Sequence, residues 1–124
     1  MKRITLLLAL LVFSAITVSA QTDLKATKWK GIAYIPDAAE VILSFTKDSV
    51  VMFRNNDPLE TMHYTLSGDT LSIAKLSGMS PCGTNAGSYK ISIKNNTLFL
   101  EVINDDCNER TNAFSPEGYF KQND

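Results

Sequence analysis

Beyond residue 21 the apolar residues of this chain fall at every second position or in short blocks rich in Val, Ile, Tyr and Phe. An amphipathic helix needs a spacing of three and four, so the period of two restricts the chain to strands whose faces differ in polarity. Eight such segments follow closely: Lys28 to Ile35, Val41 to Thr46, Ser49 to Arg54, Met62 to Leu66, Thr70 to Lys75, Gly87 to Ile93, Thr97 to Ile103 and Gly118 to Gln122. No linker-like stretch separates them, so they are expected to form one all-β domain with one modest core.

The connections are of two kinds. Lys47-Asp48, Ser67-Gly68-Asp69 and Lys94-Asn95-Asn96 have the Asn, Asp and Gly chemistry of tight hairpin turns. The stretches Pro36 to Glu40, Asn55 to Thr61, Leu76 to Ala86 and Asn104 to Glu117 are longer. In an up-and-down meander alternate connections lie at opposite ends, which gives a plain base and an elaborated rim. A flat sheet of eight strands would leave two edges open to pairing with other chains, and closing the first strand onto the last removes them. The expected fold is therefore an eight-stranded antiparallel up-and-down barrel with a short helix before the last strand. Asp106 followed by Glu109 reads as a capping box opening that helix, which Pro116 would end.

Residues 1–20 carry Lys2 and Arg3, an apolar run from Ile4 to Ile16 broken only by Thr5 and Ser14, and then Val18-Ser19-Ala20. That order is the pattern of a secretory signal peptide cut near Ala20, and the run is short of the roughly 20 apolar residues that span a bilayer. The remaining 104 residues are expected to be secreted or periplasmic, with no membrane span. Losing Lys2 and Arg3 takes the formal charge from −1 for the whole chain to −3. Nucleic acid and anionic membrane are thus poor partners for it. Cys82 and Cys107 are the only cysteines, and an even pair in an exported chain reads as a disulfide. The meander puts both in neighbouring rim connections. Closing that loop would stabilise so small a domain by roughly 3.5 kcal/mol in the chain-entropy account.

No set of residues composes an active site. His63 is the single histidine, it sits mid-strand, and no Gly-x-Ser-x-Gly turn accompanies it. A surface or half-buried strand histidine is the better reading. Two thiols and one histidine fall short of a structural zinc set, so neither metal nor cofactor is expected. Most acids lie in the long connections, where solvated carboxylates are the norm. Glu101 lies within a strand and is expected to face water, because an unpaired buried carboxylate is costly. Asn95-Asn96-Thr97 matches a glycosylation sequon, but the turn itself calls for Asn-Asn. Ser77 to Gly87 is glycine-rich without the lysine and helix of a phosphate loop.

The inward faces are expected to carry Val41, Leu43 and Phe45, Leu71 and Ile73, Tyr89, Ile91 and Ile93, and Leu98, Leu100 and Val102, with Trp29, Tyr64, Leu66 and Phe120 added. In the third strand Val50 with Met52, or Val51 with Phe53, could face inward. Eight strands enclose a volume that side chains fill or that holds one small ligand.

Trp29-Lys30-Gly31, Cys82, Gly87-Ser88-Tyr89, Leu98, Asp105-Asp106-Cys107, Arg110, Phe114 and Gly118-Tyr119-Phe120, spread over nearly all of the mature chain, resemble small bacterial lipocalin-like proteins of the calycin type. The resemblance implies a barrel with an apolar cup that binds a small hydrophobic or amphipathic molecule. Trp29, Phe45, Tyr64, Tyr89, Leu100 and Arg110 would then line the interior and rim. Lipocalins set an arginine across the closed end from their early tryptophan, whereas Arg110 belongs to the opposite rim. It is expected to hold Asp106 or a rim carbonyl, or else to meet a ligand carboxylate. A second reading makes the chain a monomeric interaction or inhibitor module whose bridged loops, Met79 to Ala86 and Asn104 to Asn112, present an apolar patch around Met79 and Pro81.

Overall fold

A computed structural model describes residues 22–123. The leader read at residues 1–20 lies outside the described residues. Eight strands follow in order: β1 (Lys28–Tyr34), β2 (Ala38–Phe45), β3 (Ser49–Arg54), β4 (Asp57–Ser67), β5 (Thr70–Gly78), β6 (Gly87–Lys94), β7 (Thr97–Asn104) and β8 (Phe114–Gln122), with helix α1 (Asn108–Ala113) before the last. Each strand pairs antiparallel with the next and β8 pairs with β1, which makes a closed barrel. The expected fold class is the observed one.

The base is built from tight turns and a stopper. Asn95 and Asn96 both take the left-handed conformation, φ 52° and 60°, as a two-residue hairpin turn requires. Leu24, 1% exposed, is part of the core although it precedes β1. A turn holds it there. Thr27 donates both its amide and its hydroxyl to the Leu24 carbonyl, its own carbonyl accepts from the Phe45 amide, and its Oγ1 accepts from Trp29 Nε1 at 2.8 Å. Tyr64 closes the other side of the base by donating to the Thr46 carbonyl at 2.6 Å.

At the rim the expected set of four long connections reduces to two. Asn55 and Asn56, φ 49° and 67°, make a second two-residue turn, so β4 begins at Asp57 and the expected loop from Asn55 to Thr61 is strand. Pro58 is tolerated because it sits beside a bulge, where the register shifts between Met52 and Phe53. The first connection shrinks to residues 35–37. Only residues 79–86 and 105–113 remain long, and the disulfide joins these two, with Cα atoms 5.5 Å apart.

Two further boundaries move. The helix opens after Cys107, which makes no side-chain cap, so the capping box from Asp106 does not form. The disulfide fixes Cys107 there, and Asp105 Oδ1 already accepts its amide at 2.9 Å. Pro116 lies inside β8, which begins at Phe114 rather than Gly118. There the ladder to β1 is irregular between Gly31 and Ala33, and the Tyr119 hydroxyl bridges the gap, donating to the Ile32 carbonyl and accepting from the Ser115 amide.

The core runs the length of the barrel. Trp29, Leu43, Phe45, Val50, Met52, Met62, Tyr64, Leu71, Tyr89, Leu98 and Tyr119 pack in one cluster, so in β3 the Val50 and Met52 face points inward. Phe120, Ile93 and Val102 are not part of it, at 59%, 41% and 50% exposed. Tyr119 takes the inward place expected for Phe120. Ile93 precedes the base turn and lies past the start of β5, whose pairing with β6 ends at Lys90, so that strand does not cover it. Val102 is paired with buried Tyr89, yet β8 pairs with β7 only at Thr97 and Leu98, which leaves Val102 uncovered.

Candidate functional site

The rim is organised by one buried carboxylate. Asp105 accepts from Arg110 through Nε at 2.6 Å and Nη2 at 2.7 Å, from the Tyr89 hydroxyl, and from the Cys107 amide. Arg110 Nη2 also donates to the Asn85 carbonyl at 3.1 Å. One side chain from α1 thus ties together the two connections that the disulfide bridges. The side chains of Arg110 and Asp105 are 6% and 0% exposed, so the pair is shielded from the water that weakens surface ion pairs. Arg110 therefore holds Asp105 and a rim carbonyl, not Asp106, which is exposed.

The electrostatics follow from that contact set. Burial alone would push the Asp105 carboxyl up, but the hydrogen bonds from Arg110, Tyr89 and the Cys107 amide outweigh it and hold the group below its ordinary value. Asp105 likewise raises the Arg110 guanidinium. Burial, together with the bond to Asp105, pushes the Tyr89 phenol well above the usual tyrosine range. The triad is locked in one charge state across neutral pH, which suits a clamp rather than a proton-transferring group.

The residues expected to line a ligand cup fall in different places. Trp29, Phe45, Tyr64 and Tyr89 are buried in the core, and Leu100 packs against it. Phe45 meets Tyr64 edge to face at 5.2 Å, and Tyr89 meets Phe114 in the same way at 5.3 Å. Two clefts open at the ends of the barrel. One of about 410 Å³ lies beside the Leu24 stopper and includes Lys25, Lys47, Tyr64 and Leu66. The other, of about 170 Å³, lies at the rim between Pro81, Gly83 and the disulfide on one side and Asp106, Glu109 and Arg110 on the other. Neither is lined by Trp29, Phe45, Tyr89 or Leu100.

What sequence reasoning missed is a pair of bulges. The register of β4 against β5 shifts between Thr61 and Met62, which leaves Leu76 as the extra residue. The register of β6 against β7 shifts between Ser88 and Tyr89, which leaves Ile103 as the extra residue. Both lie on the outward parity of their strands, opposite Leu71 and Ile73 in β5 and opposite Leu98 and Leu100 in β7, and they are 60% and 57% exposed. Met79, just beyond β5, is 88% exposed. The sequence does carry a trace of the first: Leu76 breaks the alternation set by Leu71 and Ile73.

His63 is exposed on β4, and Glu101 is exposed on β7. Among the described residues no three His, Cys, Asp or Glu side chains gather as a metal site, and no helix is long and apolar enough to cross a membrane. No family model matches the sequence, and neither the curated proteins nor the solved structures searched give a match.

Proposed function

We propose that this chain is an exported, non-enzymatic binding module that docks a partner protein on its disulfide-bridged rim. The observation that carries this reading is the placement of Leu76 and Ile103. Each is the unpaired residue of a bulge, on strands either side of β6, and each turns an apolar side chain to water at the rim end of its strand, the end at which Met79 is also exposed. Burying such a side chain is worth about 1.5–3 kcal/mol, so three left exposed at one end are a reserve for association. The loops beside them are held by the disulfide and by the Asp105–Arg110 pair, and stiff loops lose less entropy on docking.

A lipocalin-like cup for a small hydrophobic or amphipathic ligand is the second reading, and the resemblance in the sequence favours it. It has less support, because the interior side chains pack against one another from Leu24 at the base to Tyr89 near the rim. Photo-crosslinking separates the two. A photoreactive residue at Met79 or Ile103, in the cells that make the protein, is expected to give a discrete protein adduct, and one at Lys94 on the base none. Adducts from Lys94 alone would refute the rim reading. A small molecule released on unfolding the purified protein would favour the cup.

A further inference from the structure

We infer that the rim receives a basic segment with apolar anchors from its partner. This rests on the reading of the rim as the contact surface and names the chemistry that fits it.

Charge is sorted by end. The base and the strand ends that form it carry Lys25, Lys28, Lys47, Lys94 and Lys121 against Asp23, Asp48 and Asp69. The rim and its strand ends expose Asp37, Asp57, Asp106, Glu109 and Glu117. The rim cations are fewer: Arg54, exposed at the end of β3, with Lys75 and Arg110. Arg110 is taken up by Asp105, and Lys75 Nζ donates to the Ser80 carbonyl. A chain of small net charge thus shows one distinctly acidic end, and a field of one sign steers and selects a partner of the other.

The rim cleft gives the field a point of contact. Its volume of about 170 Å³ suits one long basic side chain, with the methylene stem against Pro81 and the disulfide and the cationic head between Asp106 and Glu109. Arg110 forms part of the wall, and its Nη1 is buried without a hydrogen-bond partner among the described residues. Leu76, Met79 and Ile103 then supply apolar contact for the flanking residues of the segment.

The test uses the intact oxidised protein and a phage-displayed library of random dodecapeptides. Enriched peptides are expected to be net basic with at least one large apolar residue. Asp106→Lys with Glu109→Lys should weaken a selected peptide by about tenfold or more, whereas Lys47→Glu with Lys94→Glu should leave its affinity nearly unchanged. Asp106→Asn with Glu109→Gln, checked by circular dichroism, gives an intermediate loss and guards against misfolding of the reversed variant. Acidic or neutral peptides that still lose binding with Met79→Ser or Ile103→Ser would overturn the charge class and leave the rim reading standing. Peptides indifferent to every rim substitution, or no enrichment at all, would overturn both.

Discussion

The carboxylate of Asp105 occupies the space where Gly87 would carry a side chain. A Cβ built on Gly87 collides with the Asp105 carboxyl group, and from that seat Asp105 reaches Tyr89, Cys107 and Arg110. The block of Gly87, Tyr89, Asp105, Cys107 and Arg110 is therefore one assembly. It joins the start of β6 to the end of β7 and to α1.

Gly87→Ala is expected to displace Asp105 and to cost about 2 kcal/mol, in the range of overpacked cores. Gly83→Ala, with nothing within 4 Å of its Cβ, should change stability by less than about 0.5 kcal/mol. Urea titration of the two variants side by side checks this contrast.

Arg110→Leu strands a buried carboxylate and should destabilise the fold by on the order of 3–5 kcal/mol. Asp105→Asn together with Arg110→Leu should cost less than the Arg110 change alone, because the stranded charge is then gone. A double-mutant cycle by chemical denaturation reads the coupling.

Asp105 also sets a pH dependence. Its folded value lies below the ordinary 3.8, so its contribution is complete above that value and is lost as pH falls through the lowered one. The phenol of Tyr89 is shifted the other way, from an ordinary 10.0, so its contribution is complete below pH 10 and is lost as pH rises beyond it. Stability profiles should therefore lose part of the acid limb in Asp105→Asn and part of the alkaline limb in Tyr89→Phe.

Most of the barrel was legible in the sequence, because alternation, turn dipeptides and the cysteine pair are local signals. The rest depended on pairing. Asn55-Asn56 is the same dipeptide as Asn95-Asn96, but the nearby Pro58 argues against strand unless the bulge beside it is known. Leu76 and Ile103 fall on the outward parity of their strands, but the bulges that leave them unpaired depend on registers that no single strand encodes. Asp105 and Asp106 cannot be told apart until Gly87 is seen beneath one of them. Leu24 lies outside any strand, so periodicity could not assign it to the core.

Leu24→Ala is expected to cost about 2–5 kcal/mol, as for other buried leucines, although the residue lies before the first strand. Lys25→Ala, exposed in the same turn, should be close to neutral. Thermal unfolding of both variants tests whether the barrel needs its stopper.

Leu76→Ser with Ile103→Ser, scored for both unfolding free energy and the photo-adduct formed from Met79, tests the central claim most directly. Side chains placed outward for a partner should leave stability within about 1 kcal/mol of the parent, while the adduct disappears. A large loss of stability, or an adduct of undiminished yield, would contradict it.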